Sequence, residues 1–319
     1  MSEKNRSTRV GIAILYLAGC VNAGVLTTPV SESLWVLNDE QTQAAISITP
    51  AGNASAVPQP TWGVEQWNGP SRLTHPYTQT LNSNGNWSLA NASASVQYDK
   101  TTSPWLGGTF TLSQNGASLP CSPLTEYDLF LSPKSVEASM GSLAGAAANG
   151  MKASQPLSTL QGLSFNLGLQ ITYEQLGTNC TVNQAGYLLG FLFRNTVTSK
   201  TLFYQIYFRR AAIDNGSVVL AQPNNSFFDD GQGNIGIDDH ITNVASSIEA
   251  PVLRGPRLGY SVNILPRLTA IIQSGGPGGR SYDTNLSRYN LTKTYFGQNI
   301  WGNSLTTATW DNFNIITSP

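Results

Sequence analysis

The sequence is short of charge. Lys, Arg, Asp and Glu make up 11% of its 319 residues and the formal net charge is −1, against roughly 25% charged residues in an ordinary soluble domain. Without a concentrated patch of Lys and Arg, neither nucleic-acid phosphates nor anionic lipid finds the positive charge it needs. Histidine is nearly missing, with only His75 and His240. That excludes a zinc site of clustered Cys and His, and no Gly-x-Ser-x-Gly elbow accompanies either His to build a Ser-His-Asp triad. Phosphate-binding glycine loops and dinucleotide fingerprints are absent as well. Beyond the first turns of the chain no apolar run is long enough to cross a bilayer. Cysteine is scarce too, at three residues.

What is present is apolar, aromatic and neutral-polar. Hydrophobic residues make up 40% of the chain, with 7 Trp, 12 Tyr and 11 Phe, enough for a sizeable core. Solubility then rests on Ser, Thr, Asn, Gln and Gly, a surface common among exported β proteins. Residues 1–23 read as a signal peptide: Lys4, Arg6 and Arg9 form a positive start, residues 10–19 a short apolar stretch, and Val21-Asn22-Ala23 a small-x-small cleavage site. Leu17-Ala18-Gly19-Cys20 resembles the lipobox of bacterial lipoproteins, so two processing routes stand, a lipid anchor at Cys20 or cleavage after Ala23. Either route sets Cys20 apart and leaves Cys121 and Cys180 as an even pair. In an oxidising compartment the pair is expected to form a disulfide, contributing about 4 kcal/mol on the chain-entropy view.

Residues 24–60 read as a leader with strands over 34–37 and 44–48, ending in a Pro/Gly/Ala/Ser linker over 50–60. From residue 61 to 319, short β-rich runs recur between turn clusters such as Asn82-Ser83-Asn84-Gly85 and Gly275-Gly276-Pro277-Gly278-Gly279. That spacing predicts one all-β domain, an antiparallel β-sandwich of jelly-roll type with at most one or two short helices. Along 163–173, Phe165, Leu167, Leu169, Ile171 and Tyr173 alternate and are expected on one face. Residues 187–193 are apolar on both faces and belong centrally. Residues 309–317 form the last strand, with Phe313 and Ile315 toward the core. Residues 266–273 predict a short helix, with Pro266 in its first turn and Gly275 just past its end; residues 140–153 fit helix or loop equally.

Strand 202–210 alternates Tyr204, Ile206 and Phe208 with Gln205, Tyr207 and Arg209, so the second set is expected on an outward polar-aromatic face. Such faces bind sugars, because rings lie flat on pyranose rings while amides, Arg and carboxylates fix the hydroxyls. Asn299 and Trp301 in the run 295–302 have the same composition, and Trp67 stands beside Glu65. For a glycosidase two carboxylates are needed, one of them held protonated. Glu65 and Glu174 are the candidates, each in a β-run with aromatics adjacent; Glu126, Glu137 and Glu249 sit in loop-like contexts and rank below them. A polysaccharide lyase would use Tyr207 with Arg209, or a His. The acidic, Gly-rich stretch with Asp229, Asp230, Asp238 and Asp239 has the oxygen content of a Ca2+ loop, without EF-hand spacing.

The ending Trp301-Gly302-Asn303 … Thr309-Trp310-Asp311-Asn312-Phe313, and Asn234-Ile235-Gly236-Ile237-Asp238, resemble fragments of the concanavalin-like lectin and glucanase class. The resemblance implies a jelly roll and a glycan partner. The chain departs from that pattern at Gln205-Ile206-Tyr207-Phe208, where the metal-holding acidic pair of the lectins would lie. Three readings stay open: an exported glycan-binding module, a glycoside hydrolase or polysaccharide lyase, and a structural or adhesive cell-surface protein.

Overall fold

The computed structural model describes residues 24–25, 35–39, 45–48, 62–66, 73, 78–81, 86–99, 109–121, 126–133, 155–215, 217–220, 225–229, 234–240, 252–253, 255–275 and 282–318. Residues 1–23 with Cys20, residues 140–153, Trp67, His75, Glu137, Asp230 and Glu249 lie outside them. In chain order the strands are β1 (Gly24–Val25), β2 (Trp35–Asp39), β3 (Ala45–Ile48), β4 (Trp62–Glu65), β5 (Thr78–Leu81), β6 (Trp87–Ala90), β7 (Ala94–Asp99), β8 (Thr109–Asn115), β9 (Glu126–Pro133) and β10 (Gly162–Gln175). There follow β11 (Gln184–Asn195), β12 (Thr201–Asp214), β13 (Ser217–Leu220), β14 (Asn225–Asp229), β15 (Ile235–His240), β16 (Val252–Leu253), β17 (Leu258–Asn263), β18 (Tyr289–Trp301) and β19 (Leu305–Ser318). Among the described residues one α-helix, α1 (Leu265–Gln273), joins them, beside short 3-10 turns.

Two sheets face each other. The first runs β16-β10-β19-β8-β7-β6-β5, with β1 on β19 and β17 also on β10. The second runs β14-β15-β12-β11-β18-β9-β4-β2-β3, with β13 on β12. Pairing is antiparallel except for β12 with β15 and β2 with β4. The molecule is therefore an all-β jelly-roll sandwich with one short helix. That helix begins one residue before the expected position, carries Pro266 in its first turn, and turns Leu265, Leu268, Ile271 and Ile272 to the interior. Gly275 follows it at φ +73°, a conformation glycine adopts without steric cost.

The core lies between the sheets. Alternation supplies it from both sides: Leu163, Phe165, Leu167, Leu169 and Ile171 from β10, and Ala185, Tyr187, Leu189, Phe191 and Phe193 from β11. Rings from opposite sheets interlock, with Phe296 and Trp310 at 5.4 Å and Phe165 and Phe208 at 6.1 Å between centroids. β11 is central in its sheet, flanked by β12 and β18. Ile315 is fully buried, and Phe313 packs against the core from a half-buried position.

A disulfide joins Cys121 to Cys180, closing 59 residues of sequence separation. Cys121 lies between β8 and β9 and Cys180 between β10 and β11. Each of these two connections leads from the first sheet to the second, so the bond staples two crossovers together.

Two β-bulges decide which side chains enter the core. Between β10 and β19 the register passes from Ile171↔Ala308 to Tyr173↔Thr307, leaving Thr172 over. Between β11 and β12 it passes from Tyr187↔Arg209 to Leu188↔Tyr207, leaving Phe208 over. An extra residue shifts the two-residue period by one, so every later side chain changes face. Tyr173 is thereby sent outward, against the expectation that it shares a face with Ile171, and Glu174 and Leu176 turn inward. Arg209 and Ala211 likewise turn inward after Phe208, and Arg210 faces out. Glu174 and Arg209 meet between the sheets, both without solvent exposure. Arg209 Nε lies 3.0 and 3.1 Å from the two carboxylate oxygens and Nη2 2.6 Å from Oε1.

Candidate functional site

The outer face of the second sheet carries a side-chain cluster of its own, separate from the main core: Phe130, Leu188, Tyr207 and Tyr295, with Leu192 against them. Its placement follows from the strands beneath it. On β11, alternation sends Gly186, Leu188 and Gly190 to this face, and the two glycines leave the sheet bare on either side of Leu188. The neighbouring side chains lie down into that space. A methyl at position 190 would run into the Tyr295 ring, and one at 186 would stand 2.7 Å from Cε1 of Tyr207 and closer still to Oδ1 of Asn299. On β18, after a further register shift beside Thr292, Lys293, Tyr295, Asn299 and Trp301 share the face. On β9, the sequence Glu126-Tyr127-Asp128-Leu129-Phe130-Leu131 alternates cleanly: Tyr127, Leu129 and Leu131 enter the main core, and Glu126, Asp128 and Phe130 point outward.

Four carboxyl groups come together on this face. Asp128 and Glu126 hydrogen-bond each other. Burial holds the Asp128 carboxyl well above the ordinary carboxylate range, and the charge and hydrogen bond of Glu126, then the charge of Glu65, add to it. Glu126 is raised by burial, while the hydrogen bonds from Asp128 and Asn299 and the charge of Arg210 pull the other way. Burial and the neighbouring Glu126 carboxyl thus favour the protonated form of Asp128, since two carboxylates at hydrogen-bond distance resist ionising together. Glu65 on β4, only 1% exposed, forms an ion pair with Lys293. Asp238 on β15 accepts from Arg210 Nη1 at 2.9 Å.

Neutral donors and rings link these charges. The Asn299 amide nitrogen donates to Glu126 and, at 3.3 Å, to the Tyr207 hydroxyl. Asn299 Oδ1 meets no donor among the described residues. Gln205 Nε2 donates to the Tyr295 hydroxyl at 2.6 Å. The Arg210 guanidinium lies over two rings, 5.1 Å from the centre of Tyr207 and 5.6 Å from that of Trp301. Tyr207, Tyr295, Asn299 and Asp128 form a buried floor, and Trp301, Arg210, Gln205 and Glu126 a half-buried rim. Both tyrosine hydroxyls are held well above their usual range, chiefly by burial, so they act as neutral hydrogen-bonding groups.

The expected residues divide as follows. Glu65, Gln205, Tyr207, Asn299 and Trp301 stand together on the outer face, while Trp67 lies outside the described residues. Glu174 and Arg209 do not join them; the bulges bury them as a pair between the sheets, where no saccharide reaches. Arg210 takes the place expected of Arg209. Of the acidic stretch, residues 230–233 lie outside the described residues, and the others are placed apart or paired. Asp238 and Asp239 are consecutive on a strand and so face opposite ways. Asp238 is engaged by Arg210; Asp239 binds Arg267 of α1 and takes a hydrogen bond of 2.6 Å from the Tyr204 hydroxyl. Asp229 belongs to β14, paired with Ile235 of β15. Among the described residues no group of three or more acidic, Cys or His side chains is arranged to hold a metal. Glu126, ranked below Glu65 and Glu174 on the sequence, stands in the cluster on β9, and Asp128 is the residue sequence reasoning passed over. Their signal was the alternation of β9, obscured by the Ser, Pro and Thr residues just before it.

No protein-family model matches this chain, and no curated protein matches it. Solved structures do. A family 11 xylanase from Neocallimastix patriciarum is similar over 78% of this chain and 98% of its own, at 8% identity and a TM-score of 0.37. A family 12 xyloglucanase from Bacillus licheniformis covers 76% of this chain and 99% of its own, at 10% identity and a TM-score of 0.35. The endo-1,4-β-glucanase CelB2 covers 77% and 98%, at 12% and 0.37. These are likenesses between β-sandwich structures; at such identities and TM-scores no side-chain role passes from them to this chain.

Proposed function

We propose that the chain is an exported glycan-binding protein that holds a polysaccharide segment on the outer face of the second sheet, across β9, β18, β11 and β12. The observation that carries this reading is the half-buried rim of Trp301, Arg210, Gln205 and Glu126 held above a floor of Tyr207, Tyr295 and Asn299. Pyranose rings stack on a ring such as Trp301, and their hydroxyls pair with such an amide, guanidinium and carboxylate. Arg210 and Lys293 each face a carboxylate already, which favours an uncharged glycan over a uronate. The disulfide supports an oxidising, extracellular setting, and whether Cys20 adds a lipid anchor is a separate question. Affinity electrophoresis through gels cast with different polysaccharides tests the reading. Retardation that is lost in Trp301→Ala is expected, and unretarded migration in every gel overturns it.

A second reading, glycoside hydrolysis, is favoured by Asp128 alone. A carboxylic acid kept protonated beside an ionised carboxylate is the general-acid arrangement that glycosidic cleavage needs. Asp128 would then protonate the leaving oxygen, with Glu126 or Glu65 as the second carboxylate. A cleared zone in the gel that disappears in Asp128→Asn, with retardation kept, would establish catalysis.

A further inference from the structure

Where β11 turns back into β12, a cavity of about 130 Å³ lies between that turn, the start of β15 and the segment 282–289 that leads into β18. It sits far from the outer-face cluster: Tyr289, which lines it, and Trp301 are the two ends of β18, roughly 40 Å apart along an extended strand. The floor is apolar. Leu202 and Ile235, paired across β12 and β15, end the core there together with Tyr289. The hydroxyls of Tyr282 and Tyr289 donate to the main-chain carbonyls of Ile271 and Asp283 at 2.7 and 2.8 Å, so what these two side chains offer a ligand is chiefly ring carbon. The rim carries both signs of charge, Asp283 on one side and the exposed Lys200 on the other. Asp283 is firmly mounted: the main-chain nitrogen of Asn285 donates to Oδ1 at 3.0 Å, and Arg288 Nη1 and Asn195 Nδ2 donate to Oδ2 at 2.9 and 3.1 Å. These bonds hold its carboxyl below the ordinary carboxylate range, so it is an anion near neutral pH. A carboxylate accepts about four hydrogen bonds, and among the described residues one place on Oδ1 is left.

The size and the lining narrow the ligand. An apolar cavity of about 150 Å³ takes up one benzene molecule, so this one has room for a single six-membered ring. A purely apolar ring would leave the carboxylate and the ammonium group unused, and a charged one would meet its own sign on one wall. A ring with a C–H face for the floor and neutral hydroxyls for the rim matches both. We propose that the cavity binds one uncharged pyranose, free or at the terminus of a chain, with its C–H face on Leu202 and Ile235 and a hydroxyl donating to Asp283. The buried floor closes the cavity behind the ligand, so an internal sugar of a polymer does not thread through it. The site is separate from the outer face and stands whether or not that face holds a polysaccharide.

The test uses the isotopically labelled chain with its disulfide intact, followed by amide NMR. Glucose, galactose, mannose and xylose are titrated in, each as the free sugar and as its methyl glycoside. A saturable movement of the Leu202, Ile235 and Asp283 amide signals is expected for at least one of them, with the weak, millimolar-order affinity of so small a ligand. A methyl glycoside that binds as well as the free sugar points to a chain terminus, and binding confined to the free sugar points to the monosaccharide itself. Thr198→Trp, placed on the exposed turn at the mouth, should abolish the movement and leave polysaccharide retardation in gels unchanged; Trp301→Ala should leave the movement intact. Ile235→Phe fills the cavity from its floor and serves where the tryptophan variant folds poorly. No movement with any sugar, movement confined to Tyr207 and Trp301, or movement that survives both filling variants overturns the proposal and leaves the cavity to water.

Discussion

Arg209 and Arg210 are neighbours in sequence and opposites in circumstance. Arg209 is sealed between the sheets against Glu174, with no solvent on either side chain. Arg210 keeps a quarter of its side chain exposed, spans Asp238, and lies over the rings of Tyr207 and Trp301. Alternation puts the two on opposite faces, and the one extra residue in β12 decides that Arg209 is the one turned inward. The interior pair is a matter of stability, since each charge there depends wholly on the other; the exterior group is a matter of recognition, since water already solvates much of it. Two identical side chains in adjacent positions therefore report on different properties of the molecule.

The largest effect expected is on the interior side. Arg209→Ala or Glu174→Ala leaves a buried charge uncompensated and should cost about 3–5 kcal/mol in urea unfolding, whereas replacing both by Leu and Met should recover most of that loss. A double variant no better than the singles would show that the pair's surroundings, with the Tyr187 hydroxyl beside it, need the charges. Next comes the floor of the outer face. Gly190→Ala drives a methyl into the Tyr295 ring and should destabilise by about 1–3 kcal/mol, with glycan retardation lost alongside. If retardation persists, Tyr295 is no part of a binding surface.

Asp128 gives a smaller, pH-dependent signal. Its folded pKa is raised above the unfolded value, so the folded state keeps a proton that the unfolded chain has lost. The stability it contributes is present below the unfolded pKa near 4 and declines as pH rises toward the folded value, by up to about 1.4 kcal/mol per pH unit. Asp128→Asn should flatten that slope and raise stability at neutral pH; an unchanged slope would mean that the proton sits elsewhere. The smallest effect on stability is expected from Arg210→Ala, below about 1 kcal/mol as for other partly exposed pairs. The same change should weaken polysaccharide retardation, and it is this split between folding and binding that separates Arg210 from Arg209.

Much of the fold was legible because alternation is a strong signal wherever one face is buried. The faces of β10 up to Ile171, the central place of β11, the inward set Tyr204, Ile206 and Phe208, and the Cys121–Cys180 pair all follow from it and from counting cysteines. The errors share one cause. A bulge is a one-residue event with no fixed sequence signature, and counting by twos past Thr172 or Phe208 puts Glu174 and Arg209 on the wrong side. Glu126 was ranked low and Asp128 missed for a different reason: β9 opens directly after a turn-rich stretch, and its two carboxylates look like part of that stretch until Tyr127, Leu129 and Leu131 are read as one face. Composition also counts oxygens without their directions: Asp238 and Asp239, neighbours on a strand, point apart and meet different arginines.

The disulfide has a mechanical meaning as well as a thermodynamic one. If the chain is pulled from its two ends, the covalent path for force runs from Cys121 through the sulfur atoms to Cys180 and bypasses everything between. β9, with Glu126 and Asp128, and β10, with Glu174, lie inside that bypass, whereas Arg209, Arg210 and Trp301 lie on the loaded part of the chain. Under tension Glu126, Asp128 and Glu174 would stay on a slack loop while Glu65, Asp238, the arginines and the rim tryptophan took the strain, so a reducing medium would change not only how easily the protein unfolds but which part of the site gives way first.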